Sequence, residues 1–281
     1  MAARATSTLL WVLAFVLAVA LGAFQRMTGP TYPEHGRVVV GGEELRYSLL
    51  RTHGGEGGLR VRIGGVDEAV QGVVSWRRYP TGEAWQSLPM TRTEPGELEA
   101  VIPHQPPAGK VEYRLVLDDA GRTVTIPEGD AVVARFRAEV PAGVLIPHIL
   151  AMFTAMMLAT RSLLEEFRPH RPRPRRLVLA TMVLLVVGGL FLGPAVQKYA
   201  FDAWWTGWPN GTDLTDNKTA LATLAWLPAT LLALRNRPLR AAVIVGWLVM
   251  MGGFLIPHSF RGSQIDWSAH QAPPAAVEQS H

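Results

Sequence analysis

The chain has 281 residues, of which 48% are hydrophobic, and it carries a formal net charge of +4 with no cysteine. The absence of cysteine excludes disulfide bonds, thiolate metal sites and cysteine nucleophiles. A chain of this length has room for about two domains of roughly 100–200 residues each. The apolar residues are unevenly distributed and collect in five runs, at residues 9–24, 144–158, 177–195, 220–234 and 241–256.

These five runs predict an integral membrane protein. A bilayer core of about 30 Å requires about 20 mostly apolar residues in a helix, and each run reaches that length with its flanking residues. The first run also fits a secretory signal peptide with Ala18-Val19-Ala20 as its cleavage site. Its long unbroken apolar stretch favours a retained anchor instead. We therefore expect a bundle of about five transmembrane helices.

Arginine residues beside the apolar runs indicate the orientation of the helices. Short loops rich in arginine stay on the cytoplasmic side of a membrane. The arginine-rich segments are the N-terminus with Arg4, residues 161–176 and residues 235–240. All three lie on one side if each run crosses the membrane once, which predicts a cytoplasmic N-terminus and an outer C-terminus in a bacterial cytoplasmic membrane. The arginines then set topology and contact anionic lipids, so nucleic acid is not an expected partner.

Residues 37–140 follow a different pattern, in which short alternating segments are separated by clusters of glycine, proline and acidic residues. This pattern is typical of an all-β sandwich or barrel. The segment "VSWRRY" contains Trp76 and the segment "KVEYRLVLDDAGRTVTIP" contains Tyr113. They resemble a central strand and a late hairpin of immunoglobulin or fibronectin type III domains. The resemblance implies an exported β-sandwich, a fold that mostly binds or spaces other molecules.

The expected class is thus an α+β membrane protein with an all-β sandwich inserted between helices 1 and 2. We expect four regions: an N-terminal anchor and linker, an extracytoplasmic β-sandwich, a four-helix transmembrane region and an extracytoplasmic tail. Their bounds are residues 1–36, 37–140, 141–260 and 261–281.

The sequence "LIPH" occurs twice, once at the start of the second predicted helix and once at the end of the fifth. The predicted topology places His148 and His258 near the outer membrane boundary, and Met152 lies one helical turn after His148. Histidine and methionine on one helix face suit copper or a haem ligand, and histidine with carboxylates suits zinc. The alternative interpretation is that the methionine packs between helices.

The stretch "WWTGWPNGTDLTDNKT", residues 204–219, follows the third run on the predicted outer side. Its tryptophans fit an interfacial aromatic belt, whereas helix capping accounts for only one or two of its polar residues. We therefore expect either a structural ion-pair network or a ligand-binding or catalytic site near the outer face. The candidate residues are Asp202, Trp204, Trp205, Trp208, Asp213, Asp216, Asn217, Lys218, Arg261 and Asp266.

No catalytic signature such as a nucleophile elbow, a phosphate-binding loop or a zinc-protease motif occurs in the sequence, so whether the protein is an enzyme stays open. The predicted helix centres carry neither acidic residues nor arginine, which argues against an ion-coupled transporter. We expect a binding or complex-assembly protein that presents the β-sandwich over the polar outer layer. Its partners would be the lipid bilayer and another membrane or extracytoplasmic protein. The alternative is a metal- or haem-binding membrane protein or enzyme.

Overall fold

All strands of the described chain lie between the first two helices. The structure, a computed structural model, describes residues 2–168, 174–258, 264–265 and 267. The helices are α1 Ala2–Thr28, α2 Ala142–Glu166, α3 Arg175–Leu184, α4 Gly193–Phe201, α5 Leu214–Leu234 and α6 Arg240–Leu255, with a π-helical segment Leu185–Leu192 joining α3 to α4. The prediction of a mixed α+β protein is therefore confirmed.

Three helical segments of the described chain are long and apolar enough to span a membrane: Thr6–Thr28, Ala142–Glu166 and Arg175–Phe201. The third comprises α3, the π segment and α4 as one continuous helix. α6 is apolar but shorter, and α5 carries Asp216 and Lys218 in its first turns. The predicted association with a bilayer rests on these segments.

Helix α2 extends beyond the predicted apolar run and ends at Glu166. Its last turns bury Arg161, which pairs with Glu165 and places its guanidinium 5.3 Å from the centre of the Trp11 ring. A buried arginine is tolerated only when it is paired. This arginine therefore joins α1 to α2, in addition to the role in topology that its sequence position predicts.

The strands of the described chain form three sheets. The strands are β1 Glu34–Val40, β2 Glu43–Leu49, β3 Thr52–Gly54, β4 Leu59–Gly64, β5 Gln71–Tyr79, β6 Gln86–Pro89, β7 Thr91–Glu94, β8 Glu97–Ile102, β9 Lys110–Asp119, β10 Arg122–Ile126 and β11 Val132–Arg137. β1 pairs with β2, β4-β8-β7 form a second sheet, and β3-β11-β9-β5-β6 form the third, with β10 also paired to β9.

Side chains from all three sheets form one hydrophobic core. Burial alternates along β4, β5 and β9, so that every second residue points inward, as the two-residue period of a strand requires. Trp76 on β5 and Tyr113 on β9 are both buried and lie opposite each other in register. The Tyr113 hydroxyl donates to the Leu50 carbonyl at 2.8 Å, and burial raises its pKa.

The described residues divide into two compact units, one with the helices and one with the strands. The strand unit also contains residues 264–265 and 267 of the C-terminal tail. The Trp267 ring is buried, its Nε1 donates to the Tyr79 carbonyl at 3.1 Å, and the Arg78 guanidinium lies 5.0 Å from the ring centre. Lys110 Nζ donates to Gln264 Oε1 at 3.1 Å. The tail thus returns to the strand unit after α6.

We expect Tyr113→Phe to destabilise the strand unit, because the hydrogen bond from the buried Tyr113 hydroxyl to the Leu50 carbonyl is lost. The loss is about 0.5–1.5 kcal/mol in the free energy of opening, the usual net contribution of one intramolecular hydrogen bond. Hydrogen exchange of the β9 amides in the full-length protein measures it. Tyr79→Phe is the control, because no described residue hydrogen-bonds to the Tyr79 hydroxyl; equal effects of the two variants would contradict the assignment.

Candidate functional site

The connection between α4 and α5 contains five of the candidate residues, and side chains at the start of α5 hold its backbone. Asp216 is 6% exposed, and its Oδ2 accepts from Thr206 N at 2.7 Å and from Gly207 N at 3.0 Å. A carboxylate in the first turn of a helix is also favoured by the helix dipole. The buried charge is therefore used to hold two backbone amides of the loop.

Gln197 of α4 completes the surroundings of this carboxylate. We assign its amide the orientation in which its nitrogen donates to Asp216 Oδ1 at 2.7 Å and its oxygen accepts from the Thr206 hydroxyl, because that orientation satisfies both ends of the amide. Gln197 is itself buried. The carboxylate thus links α4, the loop and α5 through hydrogen bonds to the residues around it.

Two further side chains at the start of α5 accept from backbone amides, one in the helix and one in the loop. Asp213 is the N-cap residue, with Oδ1 accepting from Thr215 N at 2.8 Å, as such caps do. Asn217 Oδ1 accepts from Trp208 N at 2.7 Å. A side chain on Gly207 would lie 2.6 Å from the Asp216 Cβ, so this close approach of loop to helix requires glycine.

The tryptophans of the loop differ in exposure. Trp205 Nε1 donates to the Trp208 carbonyl at 3.0 Å, which fixes the ring against the loop backbone. The residues Trp204 and Trp208 are 60% and 78% exposed. The loop therefore presents two large apolar side chains on a backbone that buried polar groups hold in place. We call residues 204–208 the aromatic loop.

Asp202 does not join these residues. It ends α4 in a left-handed conformation with φ of 59°, its side chain is 82% exposed, and it pairs with Lys198 one turn earlier. Of the acids of this segment, Asp213 and Asp216 lie beside the Thr206 hydroxyl, whereas Asp202 lies apart from them beside Lys198. Arg261 and Asp266, two further predicted site residues, lie outside the described residues.

A second polar cluster surrounds the C-terminal end of α6. Gln25 of α1 donates through Nε2 to the carbonyls of Phe254 at 2.8 Å and Ile256 at 3.2 Å. Lys218, which is 5% exposed, donates through Nζ to the Ile256 carbonyl at 2.6 Å. The last carbonyls of a helix lack intrahelical partners, and a cation is favoured at this end of the dipole. Lys218 and Gln25 therefore cap α6.

Two of the predicted metal ligands are histidines, and each forms a hydrogen bond through Nδ1. His148 Nδ1 lies 2.8 Å from the Gly188 carbonyl in the π segment, and a carbonyl accepts, so Nδ1 carries the proton. His258 Nδ1 lies 2.7 Å from Gln25 Oε1. The nitrogen of that amide already donates to two carbonyls, so its oxygen accepts from His258. The Nε2 atom of each ring takes no part in these hydrogen bonds.

Met152, the third predicted ligand, lies beside the π segment. Its sulfur is 3.4 Å from the position that a Cβ would take at Gly188 and 3.7 Å from that at Gly189. It belongs to the side chains packed against the buried core of the helix unit, in line with the packing alternative. Among the described residues, no group of three or more histidines and acids is placed to hold a metal ion.

Sequence reasoning missed three residues that the structure places in these clusters: Gln25, Gln197 and Thr206. Gln25 and Gln197 are polar and lie just after an apolar run, which is the one signal that the sequence offered for them, whereas Thr206 lies in the loop between two runs. Their partners lie far along the chain or across a loop, so the pattern of one segment does not reveal them.

Comparison of the chain with protein-family models and with curated proteins finds no match. The class of this protein is therefore assigned from its structure. The described chain is a mixed α+β protein with three candidate membrane-spanning helices and several β-sheets.

We expect Asp216→Ala to release the aromatic loop, because the amides of Thr206 and Gly207 lose their acceptor. Each unsatisfied buried amide costs about 1–3 kcal/mol, and about 1.4 kcal/mol is tenfold in an equilibrium. Hydrogen exchange of these two amides is expected to accelerate by at least about tenfold.

Asp202→Gly is the control, since glycine suits the positive φ of that exposed residue. Unchanged exchange in Asp216→Ala would show that the carboxylate does not hold the loop.

Proposed function

We propose that this protein is a polytopic protein of the bacterial cytoplasmic membrane that acts in binding or complex assembly. In this proposal five helical segments cross the bilayer, with the N-terminus inside and the C-terminus outside. An immunoglobulin-like β-sandwich is inserted between the first two crossings. The observation that carries the functional part is the aromatic loop, which presents exposed Trp204 and Trp208 on a backbone held by buried Asp216.

Chain connectivity supports the topology. α1 leads into β1 within a few residues, β11 leads into α2, and the chain after α6 reaches Trp267, which docks in the strand unit. These three helix ends thus share one side of the membrane. At about 1.5 Å per residue, the 21 residues of α5 span about 30 Å. The 16 residues of α6 span about 24 Å and require their flanks to cross.

The sandwich interpretation is supported by the arrangement of buried residues. Strands of the β4-β8-β7 sheet and of the larger sheet contribute side chains to one core, as in two packed antiparallel sheets. Trp76 and Tyr113, on which the resemblance to immunoglobulin-like domains rests, are both buried in that core. Domains of this kind recur in binding proteins.

The aromatic loop supports a binding function for two physical reasons. Tryptophan is strongly enriched among residues that dominate interface energies, and the two exposed side chains lie in one loop. The loop is also ordered before any partner arrives, because Asp216 and Asn217 accept from its backbone amides and Asp213 N donates to the Thr206 carbonyl. Binding to a preordered surface costs less conformational entropy. These polar side chains are occupied by loop amides and hydroxyls, so the loop favours recognition over catalysis.

We expect the double variant Trp204→Ala/Trp208→Ala to fold but to lose its complex. The measurement is native electrophoresis and cross-linking mass spectrometry of the full chain in membranes of its source organism. Removal of two hot-spot tryptophans costs about 2 kcal/mol or more each, so the larger species should disappear.

Phe191→Ala is the matched control, because Phe191 is also an exposed aromatic residue but lies in a candidate membrane span. A complex that persists in the double variant, or a chain that migrates alone in both cases, would refute assembly through this loop.

A metal- or haem-binding function is the second candidate, and the state of the two histidines favours it. A metal-bound histidine typically donates its other ring N–H to a carbonyl or carboxylate, and both His148 and His258 donate through Nδ1. In this function the Nε2 atoms of the two histidines would coordinate copper, zinc or haem iron.

Metal analysis and the absorption spectrum of the purified chain separate the two candidates. Under the assembly function we expect no stoichiometric metal and no haem absorption band. Stoichiometric metal that is lost in both His148→Ala and His258→Ala would overturn this expectation in favour of the second candidate. The same loss in Met152→Leu would add the thioether to the ligand set.

A further inference from the structure

The strand unit contains a cleft that neither the candidate site nor the proposed function uses. Its volume is about 440 Å³, within the range of about 300–1,000 Å³ that ligand sites occupy. One wall comes from β1 and from Tyr47 of β2, and the other from β11 and the segment before it. The charged residues of the lining are Glu34, Arg37, Arg51, Glu128 and Asp130, and Val133 of β11 also lines the cleft.

Both walls end in strand edges. In the described chain β1 pairs on one side only, with β2. β11 pairs with β9 on one side, but on the other side it pairs with β3 only from Arg135 to Arg137. The edge of β11 before Arg135 therefore has no strand partner among the described residues. An exposed strand edge is a template for pairing with another chain.

The hydrogen-bond alternation shows which atoms that edge offers. Phe136 N donates to the Gly109 carbonyl on the β9 side, and Arg135 N donates to the Arg51 carbonyl on the opposite side. Neighbouring residues of an antiparallel strand alternate between the two sides. Val133 has the same parity as Arg135, so its N–H and carbonyl point away from β9. Val133 also lines the cleft.

The charges of the lining leave an acidic excess. Arg51 lies 3.8 Å from Glu34, and Arg37 lies 3.4 Å from Glu44, so these cations have acidic neighbours. Glu128 and Asp130 form no ion pair with any described residue. Burial, followed by the charges of Glu34 and Glu128, raises the pKa of the Tyr47 hydroxyl. The cleft therefore favours a cationic side chain.

We propose that this cleft binds an extended segment of a partner protein that carries lysine or arginine, which adds as a strand to the free edge of β11. Strand addition takes its affinity from main-chain hydrogen bonds and its specificity from side-chain pockets. Val133 supplies the main-chain groups, and Glu128 and Asp130 select the basic side chain. The site lies wholly within the strand unit and does not depend on the aromatic loop.

The test uses the full-length protein in lipid nanodiscs. A phage-displayed library of random dodecapeptides is selected against it, and the enriched peptides are synthesised and titrated. We expect them to contain lysine or arginine. Their affinity should fall at least about tenfold in the Glu128→Gln/Asp130→Asn variant. Glu56→Gln/Glu68→Gln is the matched control, because these two exposed acids lie outside the cleft and should leave the affinity unchanged.

Strand addition itself is read from the peptide, which avoids any question of protein folding. Methylation of the peptide nitrogens at every second position should weaken binding at least about tenfold in one of the two alternating sets and leave the other unchanged, because only one set faces β11. The Val133→Pro variant of the protein should weaken binding about as much as methylation of the peptide set that faces β11. Failure to enrich any peptide, equal effects of both methylated sets, or binding that the acid variant leaves intact would each overturn the proposal. Self-association of the protein that Val133→Pro abolishes would assign the edge to a second copy instead, and would also overturn it.

Discussion

The ends of the apolar helices depend on one constraint, which is that their backbone N–H and carbonyl groups must find partners where the helix no longer supplies them. Two charged side chains of α5 meet this constraint in opposite senses. Asp216 accepts from two loop amides, and Lys218 donates to the last carbonyl after α6. Their two-residue spacing directs them to different neighbours, so one turn of α5 organises both the aromatic loop and the end of α6.

This division accounts for many of the polar residues of one short segment through contacts within the protein. A catalytic carboxylate must reach a substrate, whereas the Asp216 oxygens are surrounded by Thr206, Gly207 and Gln197. The Asp216 carboxylate therefore stabilises the conformation of the loop. The indole rings of Trp204 and Trp208 are exposed on this loop, and the proposed recognition function rests on them.

The sequence reveals periodic features well and side-chain partners poorly. The apolar runs predict α1, α2 and the helix from α3 to α4, and alternation predicts strands such as β5 and β9, because both patterns are local. Asp202 was grouped with the other acids by proximity in sequence, but its left-handed backbone turns it outward. Gln25 caps a helix more than two hundred residues away, which a single sequence cannot indicate.

The proposed five crossings place α5 and α6 fully across the bilayer, whereas a shallow hairpin of these two helices would also return the tail to the strand unit. The turn between the two helices supports the proposed crossings. Arg235, Arg237 and Arg240 are exposed there, and Arg240 has the Phe167 ring beside its guanidinium at 4.7 Å from the ring centre. A hairpin that stopped within the bilayer would leave these arginines in hydrocarbon, at a cost of several kcal/mol. Placing the turn in water on the far side removes that cost, and the length of α5 permits it.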